Sequence, residues 1–176
     1  LKKEQIIGEN DLRYCYYSME ANVVKRNNPD PSFDFDVSLN SLFFQDGDEM
    51  EIEINPGSPM YVSLFVFSIE SGADQLVSRL YPGLLPNGHV EETQKISKTT
   101  IFPRGKNMLY DVSFPADTMK SKISEVLYIV ATKNRVNFNL TRFSIDEFNT
   151  KISEIPSNEI RLKHIPFHII KQKIKD

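Results

Sequence analysis

Phe43-Phe44-Gln45-Asp46-Gly47-Asp48 leads into Met50-Glu51-Ile52-Glu53-Ile54, then Pro59-Met60-Tyr61-Val62-Ser63-Leu64-Phe65-Val66-Phe67, and closes on Leu80-Tyr81-Pro82. Met50, Ile52 and Ile54 alternate with Glu49, Glu51 and Glu53, the period of a strand with one buried face. Asp46-Gly47-Asp48 breaks the chain before it, with Gly47 suited to a positive φ. Residues 61–69 are apolar on both sides, as in a central strand. Glu70 to Asp74, with Gly72, turns this strand into a partner over 75–81. The stretch specifies β structure and carries no residues arranged for catalysis.

The same patterns extend outward. Leu12 to Val24 reads as a Tyr-dense strand, preceded by a polar, loosely ordered segment over 1–11. Phe33, Phe35, Val37 and Leu39 alternate with Asp34, Asp36 and Ser38. Thr99 to Phe102 predicts a short strand ending at Pro103, and Met108, Tyr110, Val112 and Phe114 alternate again. Val126 to Ala131 is a second continuous apolar run, hence a second central strand. The period then changes. Ser144 and Glu147 form a capping box, with Phe143 and Phe148 placed as a hydrophobic staple. Ile145, Phe148 and Ile152 make a helical stripe near 144–153. A closing strand near 161–171 turns Ile165, Phe167 and Ile169 inward. The expectation is one mainly β domain over 12–176: an antiparallel, β-sandwich-like fold, immunoglobulin-like in character, with one short C-terminal helix and a final strand.

Composition narrows the function classes. The 176 residues suit a single domain, and 12 Phe with 7 Tyr against no Trp supply an aromatic core. A net charge of −3 and a pI near 5.7 argue against nucleic acid, whose binding needs a basic face. The basic residues Arg161, Lys163, Lys171, Lys173 and Lys175 alternate with apolar ones, the pattern of a solvated strand face and tail. Cys15 is the single cysteine, so an intramolecular disulfide is impossible. No apolar run is long enough for a membrane helix. The chain opens on Leu1 rather than Met, which suggests a mature or trimmed form whose targeting segment has been removed.

Candidate sites are few. His164 and His168 stand four apart around Pro166, but on a strand that spacing separates them by roughly 13 Å, too far for one metal ion. His89 lies in a distant loop. Asp46-Gly47-Asp48 starts like a calcium loop, yet Met50 and Ile52 occupy positions where further acids are required. Glu49, Glu51 and Glu53 could attract a basic partner or protect a strand from edge pairing. No nucleophile elbow, phosphate loop or dinucleotide fingerprint is present. The expected site inventory is therefore empty: no catalytic, cofactor-binding or metal residues.

Phe44-Gln45-Asp46-Gly47-Asp48, the strand from Pro59 to Phe67, Leu80-Tyr81-Pro82 and the run Val126 to Ala131 together resemble the bacterial family called domain of unknown function 4384. Phe143 to Phe148 and Ile165-Pro166-Phe167-His168-Ile169 are similar to a Gram-negative envelope subgroup. Met60 stands where the family has Gly. The resemblance covers the chain from about residue 12 and implies a non-catalytic module, found alone behind a signal peptide or attached to larger envelope and signalling proteins. With the β architecture, the missing N-terminus and the absent catalytic set, the first expectation is a binding module of the bacterial cell envelope, exported and soluble or lipid-anchored, whose partner is another envelope protein or domain. Two other readings stay open. One is a hydrolytic enzyme that gathers His89 or the His164/His168 face with an acid of raised pKa. The other is a structural module packing through its aromatic N-terminal strand.

Overall fold

The computed structural model describes residues 2–7, 13–18, 30–68, 76–83, 89–104, 109–115, 119–138 and 142–171. Its strands are β1 (Lys2–Ile7), β2 (Arg13–Ser18), β3 (Phe35–Leu39), β4 (Phe43–Gln45), β5 (Ile52–Pro56), β6 (Met60–Ser68), β7 (Leu76–Tyr81), β8 (Lys95–Ile96), β9 (Thr100–Phe102), β10 (Lys122–Thr132), β11 (Arg142–Ser144) and β12 (Ile160–Ile170). One helix, α1, spans Ile145–Ser153. The protein is mainly β, with antiparallel and mixed sheets.

The large sheet runs β11-β7-β6-β10-β12-β4, with β8 added to β6. The two runs that are apolar on both sides, in β6 and β10, lie next to each other at its centre, because only central strands have both faces covered. β10 and β12 pair antiparallel along eleven residues each, from Lys122↔Ile170 to Thr132↔Ile160. A small sheet, β3-β5-β9, is antiparallel, and β1 pairs with β2 in a third. β4 departs from the antiparallel expectation by running parallel to β12. The chain enters β4 from the small sheet and returns to it in β5, so no hairpin constrains its direction.

The large sheet buries both faces. One carries Met60, Val62, Leu64, Leu127, Ile129, Phe167 and Ile169, which share a core with Ile52, Ile54 and Phe102 of the small sheet. The other carries Phe65, Val77 and Val130 beneath Phe138 and the helical residues Phe148 and Ile152. The capping box forms as expected: the Ser144 side chain accepts from the Glu147 N–H, and the Glu147 carboxylate accepts from the Ser144 N–H. The Phe143 side chain and the connection over 69–75 lie outside the described residues.

Two expectations change. Residues 2–7, expected to be loosely ordered, form β1, where polar composition hides a strand held by its antiparallel partner. Arg161 and Lys163, expected to be solvated, instead reach the segment leading into β3 and its first residue. Arg161 Nε donates to the Phe33 carbonyl and Nη2 to the Asp30 carbonyl, each at 2.9 Å. Lys163 Nζ donates to the Phe35 carbonyl. Both share the inward parity of Ile165 and Phe167, so their stems follow the core while their heads bond to the backbone between Asp30 and Phe35.

Candidate functional site

The loop Asp46-Gly47-Asp48 is a structural turn. Gly47 takes φ +89°, a backbone conformation that disfavours a side chain. Asp46 Oδ1 accepts from the Phe114 N–H at 2.8 Å and Asp48 Oδ2 from the Gln45 N–H at 2.6 Å. Both carboxylates are thus engaged with backbone rather than converging on a cation.

Glu49, Glu51 and Glu53 point outward, as their alternation requires. Ser38, Leu39, Asn40, Glu51, Glu53 and Ile101 line a small groove open to solvent. Asn40 ties it to the backbone by donating to the Glu49 carbonyl and accepting from the Glu51 N–H. Among the described residues no group of three or more His, Cys, Asp or Glu could hold a metal ion.

The most developed surface lies at the β4 end of the large sheet, on the face that also carries the helix. Even-numbered residues of β12 bring His164, Pro166, His168 and Ile170 there, opposite Phe167 and Ile169. Ser124 Oγ lies 3.0 Å from His168 Nδ1, fixing that ring, and Phe43 packs on it with ring centres 5.1 Å apart. Tyr128 lies between Phe67 at 5.1 Å and His164 at 5.9 Å. Burial pushes the Tyr128 hydroxyl pKa up, so it remains protonated and able to donate at neutral pH. At the sheet margin Leu42 is 51% exposed, Phe43 58% and Ile170 39%.

The backbone edge beside these side chains is closed. Leu42 O and Asp46 N bond to β12, so the N–H and C=O groups of Phe43 and Gln45 face away from it. Ser41 Oγ accepts from the Phe43 N–H at 3.0 Å and donates to the Phe43 carbonyl at 2.6 Å. Asp48 covers Gln45 from both sides, its carboxylate accepting from the Gln45 N–H and its own N–H donating to the Gln45 carbonyl. Such caps protect an edge from strand addition.

No family model, curated protein or solved structure matches this chain.

Among the described residues, His164 and His168 do not meet an acid of raised pKa. Burial raises the Glu125 carboxyl, but Glu125 pairs with Phe167 on β12 and takes the face of Leu127, opposite His164 and His168. The sheet itself lies between them. His89 is exposed in the segment after the β7 strand. Sequence reasoning placed both β12 histidines on the correct face but overlooked Phe43. Its available signal was parity: Phe44 is buried beside Phe167, so an adjacent Phe must face the other way.

Proposed function

We propose that this chain is a non-catalytic binding module of the bacterial cell envelope that engages a protein partner through the β4 margin of its large sheet. The observation that carries this reading is the concentration of Leu42, Phe43 and Ile170 at one margin, with Phe43 held against a hydrogen-bonded His168. Aromatic anchors with adjoining polar groups are the usual core of a protein interface. Because Ser41 and Asp48 occupy the neighbouring strand edge, the partner docks on side chains rather than by adding a strand.

The envelope assignment rests on the resemblance of Phe44 to Asp48, Pro59 to Phe67 and Leu80 to Pro82 to domain of unknown function 4384. The sandwich-like reading is supported by the core that Ile52, Ile54 and Phe102 share with Leu64, Ile129 and Phe167.

A photo-crosslinking residue at position 43 of the tagged native protein, followed by fractionation and mass spectrometry, tests the proposal. The expected result is one specific protein captured in an envelope fraction. Capture no greater than from the exposed control position Asp36, or recovery of the native protein in the cytoplasm, would sink it.

A further inference from the structure

Independently of the β4 margin, the buried Arg79 guanidinium has, among the described residues, only part of its hydrogen-bonding capacity met. Arg79 lies in β7 with Phe65 of β6 as its register neighbour, on the face that carries the helix. Phe65 packs edge-on against Phe138, ring centres 4.9 Å apart, and against Phe148 at 5.2 Å. Arg79 is only 8% exposed. Its Nη1 donates to the Phe138 carbonyl, while Nε and Nη2 are buried with no hydrogen-bond partner.

The pattern of satisfied and unsatisfied nitrogens is specific. Nε and Nη2 form the lateral edge of the guanidinium, whose two N–H vectors run parallel and match the two oxygens of a carboxylate. Nη1 anchors the group to backbone, and the two nitrogens of that edge are buried without a hydrogen-bond partner. Arginine keeps its proton in proteins. A buried charge without a partner is strongly unfavourable, and desolvation lowers the Arg79 pKa accordingly.

We propose that Arg79 is the anchor of a ligand site for a carboxylate carried on an apolar body, with the two oxygens on Nε and Nη2. Phe65, its register neighbour, and Phe138, whose carbonyl it meets, belong to an apolar cluster, which favours an apolar body. A monoanionic carboxylate suits these surroundings better than dianionic phosphate, whose larger charge costs more to desolvate.

The test follows thermal unfolding of the full chain at fixed ionic strength in sodium chloride, sodium phosphate or sodium benzoate. Benzoate should raise Tm, with an equal increment per tenfold increase above its Kd, while phosphate and chloride leave Tm unchanged. Benzoate should also shift the Arg79 Nε resonance of the wild-type protein, a readout that needs no variant. Arg79→Met should lose the benzoate response and unfold at or above the wild-type Tm without ligand, because it replaces an unpaired charge by an apolar stem. Arg79→Lys should lose the response too, since it keeps the charge without the fork. The proposal is overturned if benzoate moves neither Tm nor the Nε resonance, or if phosphate alone moves them. A benzoate response retained in Arg79→Met overturns it as well. So does an Arg79→Met protein much less stable than wild type, which would show the fork already satisfied within the fold.

Discussion

Replacing Arg161 with Ala removes a polar connection between the start of β12 and the segment that leads into β3. Two bonds are lost, Nε to the Phe33 carbonyl and Nη2 to the Asp30 carbonyl, both 2.9 Å long. A charged donor contributes about 1.5–3 kcal/mol per bond when fully buried. The Arg161 side chain is 28% exposed, so water reaches the released carbonyls and lowers each contribution to about 1 kcal/mol. The Asp34 carboxylate, 3.9 Å away and more than half exposed, adds little. The expected loss is therefore about 2 kcal/mol. It should be read as a lower urea midpoint with an unchanged m value. On heating, the same loss corresponds to roughly 4–8 °C in Tm for a chain of this size. Arg161→Lys, which can reach one carbonyl but not both, should lose about half as much. Arg135→Ala is the control, because its 3.5 Å contact with Glu92 joins two exposed side chains and should contribute less than about 0.5 kcal/mol. If Arg161→Ala proves as mild as Arg135→Ala, Arg161 is a solvated strand residue and its bridging role is refuted.

Three further outcomes follow from the same geometry. Ser144→Ala removes the side-chain acceptor of the capping box and should cost about 1 kcal/mol in urea unfolding, with Ser144→Asp recovering most of it. Burial raises the Glu125 carboxyl pKa, so its contribution is fully present below the unfolded value and is lost as pH rises through the folded one. Glu125→Gln should accordingly match wild type near pH 4 and become the more stable protein at neutral pH, whereas a constant offset would contradict the assignment. The Lys133 ammonium, 2.6 Å from Asp30, and then Ser32 hold the Asp30 carboxyl well below the ordinary carboxylate range. That stabilisation is present above the unfolded carboxylate value near 3.9 and is lost as pH falls below it. The stability gap between wild type and Lys133→Met should therefore narrow in acid-titrated unfolding below about pH 4.

Much of the β architecture is legible because burial imposes a period on the chain. Met50, Ile52 and Ile54 face the core while Glu49, Glu51 and Glu53 face solvent, as alternation alone requires. The helix is legible for a related reason: Ser144 and Glu147 satisfy donors that every helix start leaves open. The segment of Tyr110, Val112 and Phe114 shows where the rule loosens. Val112 and Phe114 are buried and the backbone bonds to Gly47, Asp48 and Met50, yet the pairing is an isolated bridge between Asp111 and Glu49 rather than an extended strand. Periodicity reports which side chains are covered, not whether the backbone finds a ladder partner.

The candidate surfaces were less legible because they join residues far apart in the chain. Phe43 meets His168 only because β4 runs parallel to β12, a pairing to which no hairpin turn in the sequence points. Arg79 follows Val77 by two residues, so its inward parity was visible, but its unpaired fork depends on Phe138 taking a single nitrogen.

By itself the sequence determined the local elements: the strand periods, the glycine turn at 47 and the capped helix. Each follows from interactions within a few residues, where steric and hydrogen-bonding rules act without knowledge of the rest of the chain. Only the tertiary structure decided that Arg161 ties β12 to the segment leading into β3, that Glu125 and His168 lie on opposite faces, and that Arg79 is buried with two nitrogens lacking a hydrogen-bond partner. Those outcomes depend on which distant strands pair and in what register, and a shift of one residue would send every side chain to the other face.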